Sequence, residues 1–296
     1  MSTQNFSSKI AQASELIKNA DYVLVGAGAG LSAAGGLNYS DPVLFKEWFP
    51  KLADAGVNTI WEALTRNWFM KEDNIKSFWA YWANHLNKIR YETPTLAPYT
   101  QLYELLKNKK YYIISTNVDG QFEKAGFDQK DIFAPQGEYA LFQCELPCSD
   151  AVYPNKTYID KMILGMNHDT FEISEEDIPH CPNCGSYLVK NIRIDETFVE
   201  APHVANLNKY LEFVNNSTDG NLVILELGVG FNTPVIIRWP FEKIAGQHPN
   251  ATLIRMNMDH PEVPEKLLDK SIMFNTDIAE VLNEIVMNQE TDIKKC

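Results

Sequence analysis

Apolar residues recur along this chain at two periods. In "SKIAQASELIKNA" they fall at Ile10, Ala13, Leu16 and Ile17, the spacing of one helix face. The next stretch, "DYVLVGAGAG", is a continuous apolar run ending in glycines, which predicts a short buried strand and a tight turn. The same alternation continues downstream. "TPTLAPYTQLYELLKNKK" predicts a helix entered through prolines and left through lysines that suit its dipole. "YYIISTNVDGQFEKAGF" predicts strand, polar turn and helix, and "DIFAPQG" another short strand. "NLVILELGVG" repeats the strand-to-glycine-turn pattern, "ATLIRMNMD" is a strand ending in polar residues, and "DIAEVLNEIVMN" is a closing helix. Two regions break this rhythm. Residues 44–90 are dense in aromatics (Phe45, Trp48, Phe49, Trp61, Trp68, Phe69, Phe78, Trp79, Tyr81, Trp82), which predicts the core of a small helical lobe. Residues 138–200 predict irregular structure between two pairs of cysteines.

Strands alternating with helices imply βαβ units and an α/β fold with an open parallel, Rossmann-like sheet. Polar residues gather after the strands, at 26–32, 117–119, 136, 228–232 and 257. In such sheets ligands bind outside the carboxyl ends of the strands, so these turns predict one site.

Composition narrows the partners. With 296 residues, 45% of them hydrophobic, the chain can bury a sizeable core, as two domains or as one domain with an inserted lobe. A net charge of -13 opposes binding to phosphate backbones, so no nucleic-acid partner is expected. No run approaches the ~20 apolar residues of a spanning helix, and the N-terminal segment lacks the basic and apolar regions of a secretory signal. No membrane association is expected, and the clustered cysteines favour a reducing cytoplasm.

Three motifs carry candidate chemistry. "VLVGAGAGLSAAGG" departs from a dinucleotide fingerprint, because Leu31 stands at the third glycine position and no acidic residue closes a second strand. Its glycines still let backbone N–H groups approach a pyrophosphate. Cys144, Cys148, Cys181 and Cys184 form two close pairs that fit a four-thiolate zinc site; with no open position, such a zinc is structural. His180 is adjacent but superfluous, and Cys296 is expected to be free. "STNVDG" sets Asn117 and Asp119 after a buried strand, as an Asx turn capping the next helix or as part of a site.

In order, the motifs "GAGAGLSAAGGL", "TNVDGQFEKAG", the Gln136–Gly137 pair, the cysteine pairs, "LGVG", the strand ending in Asn257 and the closing helix resemble the sirtuin family along nearly the whole chain. The resemblance implies a single catalytic domain: a Rossmann-like part over about 1–37, 98–137 and 219–296, a helical module over about 40–97 and a zinc module over about 138–205. It implies NAD as co-substrate, contacted by Gly26, Ala27, Gly28, Leu31, Ser32, Tyr39, Thr116, Gln136, Gly228, Val229, Gly230, Asn257 and Asp277. Within that set Asn257 is similar to the residue at the adenosine ribose. Asn117 is similar to the asparagine that orients the nicotinamide ribose, and Asp119 to the carboxylate that holds the nicotinamide carboxamide.

The departures are informative. Sirtuin deacylases carry a histidine base where this chain has Gln136, which can hydrogen-bond a ribose hydroxyl but cannot remove its proton. The usual phenylalanine and arginine after the glycine turn are absent from "GLNYSD". Beyond the cysteines, "NIRIDETFVE" puts Arg193 and Asp195 where deacylases clamp an acyl-lysine with apolar residues. This pattern resembles the macrodomain-linked microbial sirtuins. It implies a protein mono-ADP-ribosyltransferase acting on a lipoylated glycine-cleavage-H-like carrier, with a macrodomain protein as functional partner and a tie to oxidative stress. Asn117, Asp119 and Gln136 are then the catalytic set. The alternatives are a deacylase with another base and a non-catalytic NAD or ADP-ribose sensor.

Overall fold

The structure is a computed structural model that describes residues 3–68 and 70–293; Phe69 and Cys296, both named above, lie outside them. Nine strands are present among the described residues: β1 Tyr22–Ala27, β2 Tyr111–Ser115, β3 Ile132–Phe133, β4 Gly137–Cys144, β5 Val152–Pro154, β6 Leu188–Ile192, β7 Leu222–Leu227, β8 Ala251–Met256 and β9 Ser271–Phe274. Six form one sheet in the order β3-β2-β1-β7-β8-β9, all parallel. Counting only these six, this is the doubly wound arrangement in which the order reverses at the first strand, so the crevice opens between β1 and β7. In register, Ala27 lies level with Ser115 on one side and Leu227 on the other. The turns that follow these three strands therefore leave the sheet together.

The strand sequences are nearly all apolar because both faces of the sheet are covered. Val23 and Val25 pack toward the helices Thr3–Asn19, Ala97–Leu106 and Ile278–Ile293, through Ala13, Ile17, Leu102, Val281 and Ile285. Leu24, Ile224 and Leu253 point the other way, toward Tyr210 of helix Leu207–Asn216 and Phe241 of helix Arg238–Gln247. The interior also holds charge. Glu226 on β7 and Arg255 on β8, both fully buried, pair at 2.7 Å, and Arg238 and Glu242 join the group.

The aromatic segment folds as short helices, Pro42–Trp48, Pro50–Asp54, Ile60–Arg66 and Ile75–Leu86. Asp41 caps the first by accepting from Val43 N, and Thr59 caps the third by accepting from Glu62 N. Phe78, Trp79, Tyr81 and Trp82 are buried, and Trp79 meets Phe142 of β4 edge to face.

The expectation of an irregular 138–200 segment holds only in part. It contains a three-stranded antiparallel sheet, β5-β4-β6, and a helix, Lys156–Leu164. Alternation along β4 is masked by a register shift between Gly137 and Phe142, so the period-two signal never runs clean. The basic end of helix Ala97–Leu106 also differs in detail: the helix stops at Leu106, and the lysines follow its last turn. Among the described residues no helix is long and apolar enough to cross a membrane.

Candidate active site at the sheet edge

Two glycine turns meet at the crevice. Gly28 begins the turn after β1 and Gly228 the turn after β7, and Gly30 N donates to Gly228 O at 3.1 Å. A Cβ on Gly28 would lie 2.6 Å from Gly228 O, and one on Gly228 about as close to the backbone of Gly30 and Leu31, 2.5 Å away. Gly228 also has φ +62°, the left-handed region. Gly228→Ala is expected to destabilise the protein by roughly 2–4 kcal/mol, from backbone strain and overpacking together. Denaturant unfolding measures this; an unchanged midpoint would show that the turns do not need this contact.

The two turns do not expose every residue that the sequence assigned to a ligand. A Cβ on Gly26 would collide with Ile237 and Phe241, so this glycine serves the packing of helix on strand. Leu31 is fully buried in the core and offers no side chain to a ligand, because the glycine position it replaces falls on the inward face of the helix Ala29–Ala34. Asp277 caps helix Ile278–Ile293, accepting from Ala279 N and Glu280 N. Ala27 O accepts from the N and Oγ1 of Thr116, and Asn257 Nδ2 donates to Val229 O. The Asn257–Val229 bond ties the end of β8 to the second turn, while Asn257 Oδ1 accepts from Asp259 N and His260 N of the loop after β8. Gly230 faces open space.

Beside the first turn lies a tight polar group. Ser32 Oγ donates to Asp119 Oδ2 at 2.6 Å and lies 2.6 Å from Tyr99 Oη. Asn117 Nδ2 donates to Tyr99 Oη at 2.9 Å and to Gly28 O at 3.0 Å. Asp119 is buried, and its Oδ1 caps the following turn by accepting from Gln121 N at 3.1 Å. Of the two readings of "STNVDG", the Asx turn is present, and its Asp119 carboxyl group also belongs to this polar cluster. Burial raises the Asp119 carboxyl pKa, while the Ser32 and Gln121 donors pull against it. Asn117 spends its amide hydrogens on this group, and among the described residues its Oδ1 accepts no hydrogen bond. Tyr99, which burial holds well above the usual tyrosine range, was not foreseen. It sits in a helix whose apolar spacing made it look like core.

Asn117 and Asp119 line a cavity of about 210 Å³ together with Glu123, Gly137, Glu138, Pro202, His203 and Asn206. Gly137 has φ +94°, and a Cβ there would strike Asn191 O at 2.2 Å, so the residue after Gln136 must be glycine for β4 to approach β6. Gln136 is half-buried beside it, with its carbonyl accepting from Arg193 N at 2.9 Å. Arg193 is partnered and lies partly in solvent, pairing with Glu200 and stacking on Phe198; Asp195 bonds Thr197. Tyr39 packs edge to face on Trp61 and His85, and burial raises its pKa. A second unforeseen group borders the cavity. Arg90 bridges Glu138 at 2.6 Å and Glu123 at 2.7 Å, and burial pushes the Glu138 carboxyl up to about 7 against the pull of Arg90.

The four cysteines gather at the far end of β4. Cys144 and Cys184 sulfurs are 3.5 Å apart, Cys148 and Cys181 sulfurs 3.7 Å, and all four lie within 4.8 Å of one another. Thiolates on a tetrahedral zinc stand roughly 3.8 Å apart, given zinc–sulfur bonds near 2.3 Å. The donor set fits that ion. His180 stays outside it, bonded to Gly185 O.

No protein-family profile matches the chain. Among curated proteins it is similar to a protein ADP-ribosyltransferase of Staphylococcus aureus, 29% identical over 93% of this chain and 86% of that one. It is also similar to a probable bifunctional ADP-ribose hydrolase/ADP-ribosyltransferase of Fusarium oxysporum, 33% identical over 84% of this chain; the match spans 42% of that longer protein. Its fold is that of the Sir2 proteins. One, Sir2Tm bound to a propionylated peptide, superposes with TM-score 0.59 at 15% identity, covering 95% of this chain and 99% of that one. Another, a Sir2 homologue in complex with NAD, gives 0.57 at 16%, covering 99% and 96%.

Proposed function

We infer that this chain, a sirtuin in fold and similar over nearly its whole length to a protein ADP-ribosyltransferase, is an NAD-dependent protein ADP-ribosyltransferase. The observation that carries this reading is the Asn117–Ser32–Asp119–Tyr99 group, set beside the glycine turn after β1, where it meets the turn after β2. A non-catalytic sensor would not require so constrained a carboxyl group beside the cavity.

In this reading the dinucleotide lies along the two glycine turns, with its nicotinamide end at Asp119. Ser32 and Gln121 N fix the Asp119 carboxyl group, which holds the nicotinamide carboxamide. Asn117 presents its uncommitted Oδ1 to a ribose hydroxyl. Breaking the nicotinamide–ribose bond builds positive charge on the sugar, and a preorganised polar group in a dry site stabilises that charge without reorganising. Gln136 hydrogen-bonds the ribose hydroxyls and takes no proton from them, so the chemistry ends with ADP-ribose on the acceptor. The cysteine site would hold a structural zinc that staples β4 to the turn before β6.

The reading extends to the acceptor. We propose a lipoylated glycine-cleavage-H-like carrier as the modified protein, a macrodomain protein as the partner that reverses the mark, and a role in oxidative stress in the cytoplasm. The resemblance of the motifs supports this, as does the Fusarium relative, whose name pairs an ADP-ribose hydrolase with the transferase. Intact mass of the carrier after incubation with this chain and NAD tests it, against an unlipoylated control. Gain of one ADP-ribose on the lipoylated form alone is expected. Loss of the lipoyl group would make the chain a deacylase. Nicotinamide release with no mass change would leave the chemistry standing and discard the acceptor.

A further inference from the structure

The cavity beside Asp119 holds one imidazole that the mechanism above does not use. His203 lies on the short helix Ala201–Val204, which Asn206 pins to the edge of the sheet by donating to Ile132 O at 2.8 Å. Its surroundings decide its tautomer. Gln143 Nε2 donates to Thr197 O, which fixes Gln143 Oε1 as the acceptor for Asn191 Nδ2 and Val199 N. Asn191 is fully buried, and its amide nitrogen is spent on Gln143 Oε1 and Val199 O. Its Oδ1 must therefore accept, and the group 2.5 Å away is His203 Nε2. Nε2 carries the hydrogen, so Nδ1 carries the lone pair. Among the described residues nothing donates to that lone pair. The chain Gln143–Asn191–His203 orients an imidazole for proton acceptance, much as a carboxamide or carboxylate orients a catalytic histidine elsewhere.

Burial, with a smaller part from charge, keeps it neutral. Burial lowers its pKa, and Arg193, itself paired with Glu200, lowers it further. The three carboxyl groups that share the cavity are engaged: Asp119 by Ser32 and Gln121 N, Glu138 and Glu123 by Arg90.

We propose that His203 is the base that takes the proton from a hydroxylic acceptor entering this cavity. The inference rests on the transferase reading. As the acceptor oxygen bonds to the ribose C1′, its O–H bond breaks and the proton passes to His203 Nδ1. The C1′–nitrogen bond to nicotinamide breaks with its electron pair, which neutralises the pyridinium charge.

Methanol serves as the test acceptor, and labelled free nicotinamide as a nucleophile that has no proton to lose. With NAD present, methyl-ADP-ribose formation and label exchange are measured for the wild type, His203→Gln and His203→Ala. In both variants the ratio of alcoholysis to exchange is expected to fall by about 10²-fold. Imidazole added to His203→Ala is expected to recover part of it. In the wild type alcoholysis declines toward acid pH as His203 is protonated, and His203→Gln lacks that limb. A ratio unchanged in both folded variants, whether their two rates fall together or not at all, overturns the base assignment. A wild type that neither releases nor exchanges nicotinamide sinks the transferase reading with it, and the two failures are distinguished by that control.

Discussion

Asp119→Ala is expected to slow nicotinamide release from NAD by about 10²–10³-fold, the cost of removing one preorganised polar partner from a water-excluded site. The geometry explains why the effect should be large. Asp119 is buried, and both of its oxygens already receive donors from the protein, so its direction is fixed before a ligand arrives. Losing it also removes the acceptor of the Ser32 hydroxyl, which keeps only its contacts with Tyr99 Oη and Asn117 Nδ2. Asn117→Ala is expected to act more weakly on the bond cleavage and more on the productive placement of the ribose. Gln136→Ala is expected to lie between them. All three should retain the unfolding midpoint of the wild type to within about 1 kcal/mol, apart from the lost cap at Gln121 in the aspartate variant. Chromatographic nicotinamide release checks the rates and denaturant unfolding the fold. Full activity in Asp119→Ala would remove the site from this edge of the sheet.

The parts of this site that were legible in the sequence are those whose chemistry is local. Buried parallel strands must be apolar on both faces, so "VLVG", "YYIIS" and "VILELG" announced β1, β2 and β7, and the polar residues after them gather at the carboxyl edge of the sheet. The cysteine pairs were legible because few other constraints place four thiols at such spacing. What was hidden depends on contacts between distant segments. Tyr99 reads as one more apolar position of a helix, and only the fold brings its hydroxyl to Ser32 and Asn117. His203 and Asn191 look unremarkable in "NIRIDETFVEAPHVAN" until β6 and the next helix are packed together. β9 was missed because "SIMF" is too short to show a period. Gly26 and Leu31 were read as ligand contacts although the packing of helices on β1 requires both.

Removing metal from the four-cysteine site is expected to produce the largest loss of stability. Structural zinc in small domains supplies on the order of 10 kcal/mol of apparent folding free energy, because the site does not exist in the unfolded chain. Here the sulfurs join the end of β4, at Cys144, to the turn that carries Cys181 and Cys184 just before β6. The small sheet around them has three strands, one of them only three residues long, and is otherwise held by its packing on the helical lobe, where Trp79 meets Phe142. β4 begins at Gly137, beside Gln136, and β6 carries Asn191. Disorder spreading from the cysteines would therefore reach the cavity wall and stop the chemistry. The parallel sheet has its own core on both faces and should persist. Chelation, or Cys184→Ser, is thus expected to abolish nicotinamide release, expose 138–200 to proteolysis and leave the parallel sheet folded. Elemental analysis should find one zinc per chain before treatment, and cobalt in its place should show the absorption of a thiolate-ligated tetrahedral ion. Protein that binds no zinc in metal-replete buffer, or that keeps its unfolding midpoint after chelation, would show that the thiols pack as a core of their own.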